Sequence, residues 1–238
     1  MRNEFVSKIT WPAPGEFSGE DYYHAFGRMN PERSENPFWR TMVRTIADAY
    51  GVRVKYSLLT EDGPPVWCFN REGASHTLVQ NRIMISIGGI HTVSGDIDQL
   101  TYNDVVLRNF AGGVWIFEYP TTVFPPAVGH TATHLERGRR VNGQLPGDCI
   151  IIVGGQRTMV PFDEAMTPVH VLDLGDFGIS EIETLGTPPG PIHGHSAVLR
   201  EGGLLSVFGG VRPALGWDAA QDSSWTLDLT TLYWTEAS

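Results

Sequence analysis

The stretch Cys149-Ile150-Ile151-Ile152-Val153-Gly154-Gly155 decides how this chain is read. Its apolar run is short, mostly β-branched and bounded by turn residues, which marks a buried strand rather than a helix. The glycine pair that stops it permits positive φ and close backbone approach. Just upstream stands Gly129-His130-Thr131; downstream come Val171-Leu172-Asp173 and then Ile179. The same order precedes it as Ser75-His76-Thr77, Ile83-Met84-Ile85-Ser86-Ile87-Gly88-Gly89, Ile116-Phe117-Glu118 and Phe124. It follows once more as Gly194-His195-Ser196, Leu204-Leu205-Ser206-Val207-Phe208-Gly209-Gly210, Thr226-Leu227-Asp228 and Trp234. Glu118, Asp173 and Asp228 are spaced 55 residues apart, as are Phe124, Ile179 and Trp234. A fixed period of this length specifies a repeat architecture.

Between the apolar runs lie half-exposed strands such as Val114-Trp115-Ile116-Phe117-Glu118-Tyr119 and Trp225-Thr226-Leu227-Asp228-Leu229. The 27 glycines and 16 prolines supply the turns that many short antiparallel strands need. Two insertions are expected in surface loops, at 137–144 in the second unit and near 92–111 in the first. The first 65 residues depart from the pattern. Asn36 and Pro37 predict a helix over about 36–50, with Phe38, Trp39, Met42, Val43, Ile46 and Tyr50 on one face and Gly51 as its stop. Trp11, His24 and Trp67 repeat the period faintly, so an eroded fourth unit interrupted by a helix is expected there.

The chain has 238 residues, 41% of them hydrophobic, enough to bury a core. Its net charge of −10 argues against nucleic acid and anionic membrane as partners, since both need a basic face. Cys68 and Cys149 are too few for a disulfide framework and read as reduced core residues. No apolar run approaches membrane-spanning length, and Met1-Arg2-Asn3-Glu4-Phe5 does not resemble a secretory signal. The expected address is intracellular and cytoplasmic.

The repeated unit resembles the Kelch repeat, and the glycine-rich strands resemble those of fungal Kelch-domain proteins. The likeness covers about 66–238 in three units (66–124, 125–179 and 180–238). Residues 1–65 would form a degenerate module of the same domain. The resemblance implies an all-β fold of the galactose-oxidase-like propeller type, each unit a four-stranded blade. About four blades are expected, fewer than the family's usual five to seven. Such a chain would close alone, close by homo-oligomerising, or form a fragment of a larger propeller. His76, His130 and His195 are expected at equivalent positions, satisfying backbone groups between blades.

Candidate site residues lie two positions beyond each Gly-Gly: His91, Arg157 and Arg212, with Trp217 in the third of these loops. Cationic groups in an acidic protein suit a carboxylate, a phosphate or an acidic peptide, and a tryptophan can anchor a partner. The leading expectation is a non-enzymatic scaffold that presents these loops to a protein partner, with no cofactor. The competing expectation is a small-molecule enzyme whose pocket at the propeller mouth also includes His193. His193-Gly194-His195 and His130-x-x-x-His134 have ligand-like spacing but no Cys or carboxylate cluster beside them, so no metal is assigned. No residue set matches the copper radical oxidases of this fold, and no catalytic residue is assigned.

Overall fold

The computed structural model describes residues 16–47, 49–56, 65–92, 100–138, 142–157, 166–214 and 217–237. After a 3-10 turn at Gly19–Tyr22, the N-terminal part supplies strand β1 (Glu32–Ser34) and helices α1 (Pro37–Thr45) and α2 (Ala49–Tyr56). The first repeat supplies β2 (Ser75–Val79), β3 (Ile83–Ile87), β4 (Ile90–His91), β5 (Leu100–Thr101), β6 (Val105–Asn109) and β7 (Val114–Glu118). The middle of the chain forms β8 (Ala127–Val128), β9 (Thr131–Leu135), β10 (Cys149–Val153), β11 (Gln156–Arg157), β12 (Val169–Asp173), β13 (Ile179–Glu181) and β14 (Leu185–Gly186). The last part forms β15 (Ser196–Leu199), β16 (Leu204–Phe208), β17 (Val211–Ala214), β18 (Trp217–Ala220), β19 (Ser224–Asp228) and β20 (Tyr233–Ala237).

The protein is therefore mostly β, built of several sheets that pair antiparallel except at β14/β20, and none of them closes on itself among the described residues. Sheet I has the order β1-β7-β6-β3-β2, sheet II β13-β12-β10-β9, and sheet III β14-β20-β19-β16-β15. The leading strands β2, β9 and β15 stand beside one another. Three apolar clusters follow. One joins the N-terminal helices to Val106, Val114 and Ile116 of sheet I. A second joins Ile85, Ile87 and Leu107 of sheet I to Ile150, Ile152 and Leu172 of sheet II. The third joins Ile151, Val153 and Val171 to Leu205, Val207, Trp225 and Trp234 of sheet III. Because β10 serves two of these clusters, all five of its residues are buried, which is why its sequence is apolar without alternation.

The first unit aligns differently from the 55-residue spacing. Opposite the first residue of the second strand in each sheet stand Asn109, Asp173 and Asp228. Asn109 Oδ1 accepts from the backbone of Ala111 (3.1 Å) and Gly113 (2.7 Å). Asp173 Oδ1 accepts from Gly175 at 2.7 Å and Asp228 Oδ1 from Thr230 at 2.7 Å. The repeated feature is a turn-closing side-chain acceptor, for which asparagine serves as well as aspartate. The described part of this expected insertion, 100–111, is accordingly not a surface loop, since it contains β5 and β6, the latter a strand of sheet I. Phe124 lies outside any strand, buried between sheets I and II.

The N-terminal helix begins as expected, with Asn36 Oδ1 accepting from Phe38 (2.9 Å) and Trp39 (3.1 Å). It ends earlier, at Thr45, because Ile46 adopts the left-handed conformation (φ 53°) and points into solvent. Gly51 lies inside α2 and is not the stop. Among the described residues, the N-terminal part forms no four-stranded sheet of its own. It covers the outer face of sheet I, adds β1 to its edge, and reaches sheet II through Asn30. The Asn30 amide donates to the Ile179 carbonyl (2.7 Å) and its oxygen accepts from the Ile179 N–H (2.9 Å).

At that edge Glu118 faces Glu32 across the β1/β7 pair. Burial pushes the Glu118 carboxyl up to about 7; Ser34 opposes the shift, while Asp104 and Glu32 add to it. With the folded value above the usual carboxylate range, the folded state holds the proton more tightly. Stability therefore falls as pH rises from about 4.5 to 7. Glu118→Gln should raise stability at pH 8 by on the order of 1 kcal/mol and change it little at pH 5. Urea midpoints at the two pH values check this.

Candidate functional site

Each Gly-Gly pair adopts positive φ at both positions: 55° and 91° at Gly88 and Gly89, 68° and 99° at Gly154 and Gly155, 67° and 82° at Gly209 and Gly210. This double left-handed step swings the chain out of each sheet into a short two-stranded ladder. The ladders are β4 with β5, β11 with β8, and β17 with β18. His91, Arg157 and Arg212 are each the second residue of the strand that leaves a Gly-Gly turn (β4, β11 and β17), so they share one position in the repeat. The side chain of Trp217, at the start of β18, lies outside the described residues.

Each of the three groups has a local partner. His91 Nδ1 lies 3.0 Å from the Asn70 carbonyl oxygen, and its buried Nε2 has no hydrogen-bond partner among the described residues. An Arg157 terminal nitrogen lies 3.4 Å from a carboxylate oxygen of Glu181, which is 56% exposed. Arg212 donates from one terminal nitrogen to the Pro189 carbonyl, while its buried Nε has no partner among the described residues. No hydrogen bond or ion pair among the described residues joins these three groups to one another. His193 bridges Val211 through two backbone hydrogen bonds of 3.1 and 2.9 Å.

The histidines settle differently from the sequence expectation. Register places Ser75, Thr131 and Ser196 at one equivalent position, each opposite the last residue of its neighbouring strand. Ala74, His130 and His195 therefore correspond, and His76 is one residue out of frame. His76 Nδ1 instead bonds the Ser86 hydroxyl across its own sheet at 2.9 Å. His130 Nε2 lies 2.9 Å from Ser75 Oγ of the preceding sheet, and His195 Nε2 lies 3.0 Å from Thr131 Oγ1. The imidazoles thus lock sheet to sheet through hydroxyls rather than backbone groups. Burial depresses His130 and His195 to about 4 and His170 to about 3, so all three are neutral at physiological pH.

His134 Nε2 is committed to Asp148 Oδ1 at 2.7 Å. Among the described residues, no group of three or more His, Cys, Asp or Glu side chains is gathered for a metal. Cys68 and Cys149 are both free and buried, and burial pushes the Cys149 thiol up to about 12, which rules it out as a thiolate near neutral pH.

One cluster escaped the sequence reading. Arg71 and Asp104, 3% and 2% exposed, form a two-pronged ion pair, with the second oxygen held at 2.8 Å. Trp67 Nε1 donates to that same oxygen at 2.8 Å, and Arg71 Nε donates to the Cys68 carbonyl at 2.6 Å. The guanidinium lies 3.4 Å from the centre of the Tyr102 ring and 4.9 Å from that of Trp67. His24, lowered to about 4 mainly by burial, packs against Trp39 and Tyr102. Both Asp104 oxygens are already taken, so the cluster is a tie between the N-terminal part and sheet I rather than a reactive centre.

The described architecture is an all-β repeat of stacked antiparallel sheets. No protein-family profile matches the chain. It is 32% identical over 90 residues to acyl-CoA-binding domain-containing protein 5 of Arabidopsis thaliana, a match that spans 38% of this chain and 13% of that protein. Among solved structures it is similar to that of YjhT, with 17% sequence identity and a TM-score of 0.49 over 75% of this chain and 53% of that one. The chain thus spans about half of that structure and a small part of that protein. No helix among the described residues is long and apolar enough to cross a membrane.

Proposed function

We propose that the three sheets are blades of a Kelch-type β-propeller, and that the ladders after Gly-Gly form a binding face for an acidic segment of a protein partner. The observation that carries this reading is the shared repeat position of His91, Arg157 and Arg212, each two residues beyond a Gly-Gly turn. Their present partners are exchangeable. The Arg157 pair is long and rests on an exposed glutamate, a kind of contact that holds a side chain weakly. Arg212 spends one terminal nitrogen on a neutral carbonyl and keeps its charge uncompensated by any carboxylate among the described residues. A carboxylate-rich segment would replace Glu181 at Arg157 and add the missing anion at Arg212.

The test is binding of a fluorescent poly-glutamate peptide to the wild-type chain and to the double variant Arg157→Gln/Arg212→Gln. The wild type should bind with an affinity that falls as salt rises. The double variant should bind at least about tenfold more weakly, while its Tm falls by less than about 4 °C. Equal binding by both proteins, or loss of the fold in the variant, would overturn the reading.

A further inference from the structure

Two sheet-to-sheet junctions in this chain are built from the same three contacts. Between sheets I and II, Gly129 N–H donates to the Gly73 carbonyl (2.8 Å), Gly89 N–H to the Ala127 carbonyl (3.0 Å), and Ser75 Oγ meets His130 Nε2. Between sheets II and III, Gly194 N–H donates to the Gly129 carbonyl (2.7 Å), Gly155 N–H to the Ile192 carbonyl (2.8 Å), and Thr131 Oγ1 meets His195 Nε2. A glycine completes each junction: a methyl at Gly88 would sit 2.9 Å from the Ala127 oxygen, and one at Gly154 would strike the Ile192 oxygen.

Sheet III repeats the outgoing half of this junction with no described residue opposite. Among the described residues, the Gly194 carbonyl, the Gly210 N–H and the Ser196 hydroxyl have no partner, and Ser196 is exposed. Gly209 keeps the strained φ of 67° although nothing lies within 4 Å of a methyl placed there. On the same face Val198, Leu204 and Phe208 are 49%, 38% and 40% exposed, whereas Cys149 and Val153, the register equivalents of Leu204 and Phe208 in sheet II, are buried in the cluster shared with sheet III.

We propose that this face of sheet III is an open inter-module interface whose occupant is a further module of the same repeat, presenting Gly-His-Ser/Thr ahead of its leading strand. A second copy of this chain does not supply that chemistry. Its sheet I carries Ala74 where the lock takes histidine, and the outer face of that sheet is covered by α1. The described N-terminal residues (16–47 and 49–56) are not the occupant either, since their apolar cluster contains no residue of sheet III. Ser206, Ser224 and Thr226 replace the Ile151, Val169 and Val171 of sheet II, so the occupant's facing sheet is hydroxyl-tolerant at its centre and apolar at its ends. This inference stands on the junction geometry and is independent of what the loop face binds.

The test extends the full chain at its C-terminus with a second copy of 182–238, which carries Gly194-His195-Ser196. Amide exchange at Gly210 and hydroxyl-radical labelling of Phe208 in the first copy are compared with the parent chain. Docking should slow Gly210 exchange at least about tenfold and reduce Phe208 labelling. Gly209→Val in the first copy should restore parental exchange at Gly210, while the same substitution in the parent chain leaves its fold intact. An extension that folds without protecting Gly210, or that does not fold beside a surface built for it, overturns the proposal. So does a parent chain already protected at Gly210, whether as a dimer, which would make a second copy the occupant, or as a monomer covered by its own segment.

Discussion

Gly154→Ala should destabilise the protein by about 4 kcal/mol, while Gly209→Ala, at the equivalent position one repeat later, should cost about 1–2 kcal/mol. Both glycines hold left-handed backbone, at φ 68° and 67°, so the torsional penalty is the same for each. Their surroundings differ. A methyl on Gly154 would strike the Ile192 carbonyl oxygen and lie 2.8 Å from His195 Cε1, and neither atom belongs to a flexible chain end. Relief would require prying sheet III from sheet II and would break the Gly155-to-Ile192 hydrogen bond of 2.8 Å. At Gly209 the methyl meets open space. Urea unfolding of the two variants measures the difference directly. Equal losses would show that backbone strain alone, not the junction, makes these glycines necessary.

Stability should also fall steeply as pH drops from 6.5 towards 4. His24, His130 and His195 are held at about 4 and His170 at about 3, with burial the leading cause in each. The unfolded chain binds these protons near pH 6.5 and the folded chain does not, so the sign is unambiguous: the unfolded state gains protons first and stability is lost on acidification. Each buried imidazole contributes on the order of 2–3 kcal/mol to that loss. Neighbouring imidazoles add to the effect, since His195 lowers His130 and His130 lowers His170. His130→Gln, which keeps a hydrogen-bonding group near Ser75 but cannot titrate, should flatten the pH 4–6.5 limb while lowering stability modestly at pH 8. An unchanged acid limb would show that His130 is not protonated on unfolding.

Much of the architecture was legible because burial on both faces writes itself into composition. The run Ile150-Ile151-Ile152-Val153 has no polar alternation since sheets lie on either side of it. Gly-Gly was readable for a related reason, as only glycine meets both the positive φ and the close carbonyl of the next sheet. The first unit was misaligned because Asn109 closes its turn without a charge, and Glu118 happened to fall at the expected interval one strand later. The histidine lock was half visible. His130 and His195 were matched correctly by the Gly-His-Thr/Ser step they share, but His76 mimicked the motif one residue out of frame, and only strand register exposes that slip. Arg71 and Asp104, 33 residues apart, carried no local pattern, so nothing in the sequence joined them. At the loop face, spacing found the shared position of His91, Arg157 and Arg212 but not their partners, because Asn70, Glu181 and Pro189 reach them only through the fold.

The partition of the interior into three separate apolar clusters has a mechanical consequence. Each cluster joins only neighbours in the stack, so cohesion passes link by link, and the N-terminal part and sheet III are held by one cluster each while sheets I and II are each held by two. Opening should therefore start at an end and advance as a front. A protease probing the native protein would first release fragments cut near the termini, leaving the strands of sheets I and II as the last resistant remnant. Pulled from its two ends, the chain should yield in successive steps rather than in one event, with β10, buried on both faces, among the last to give way.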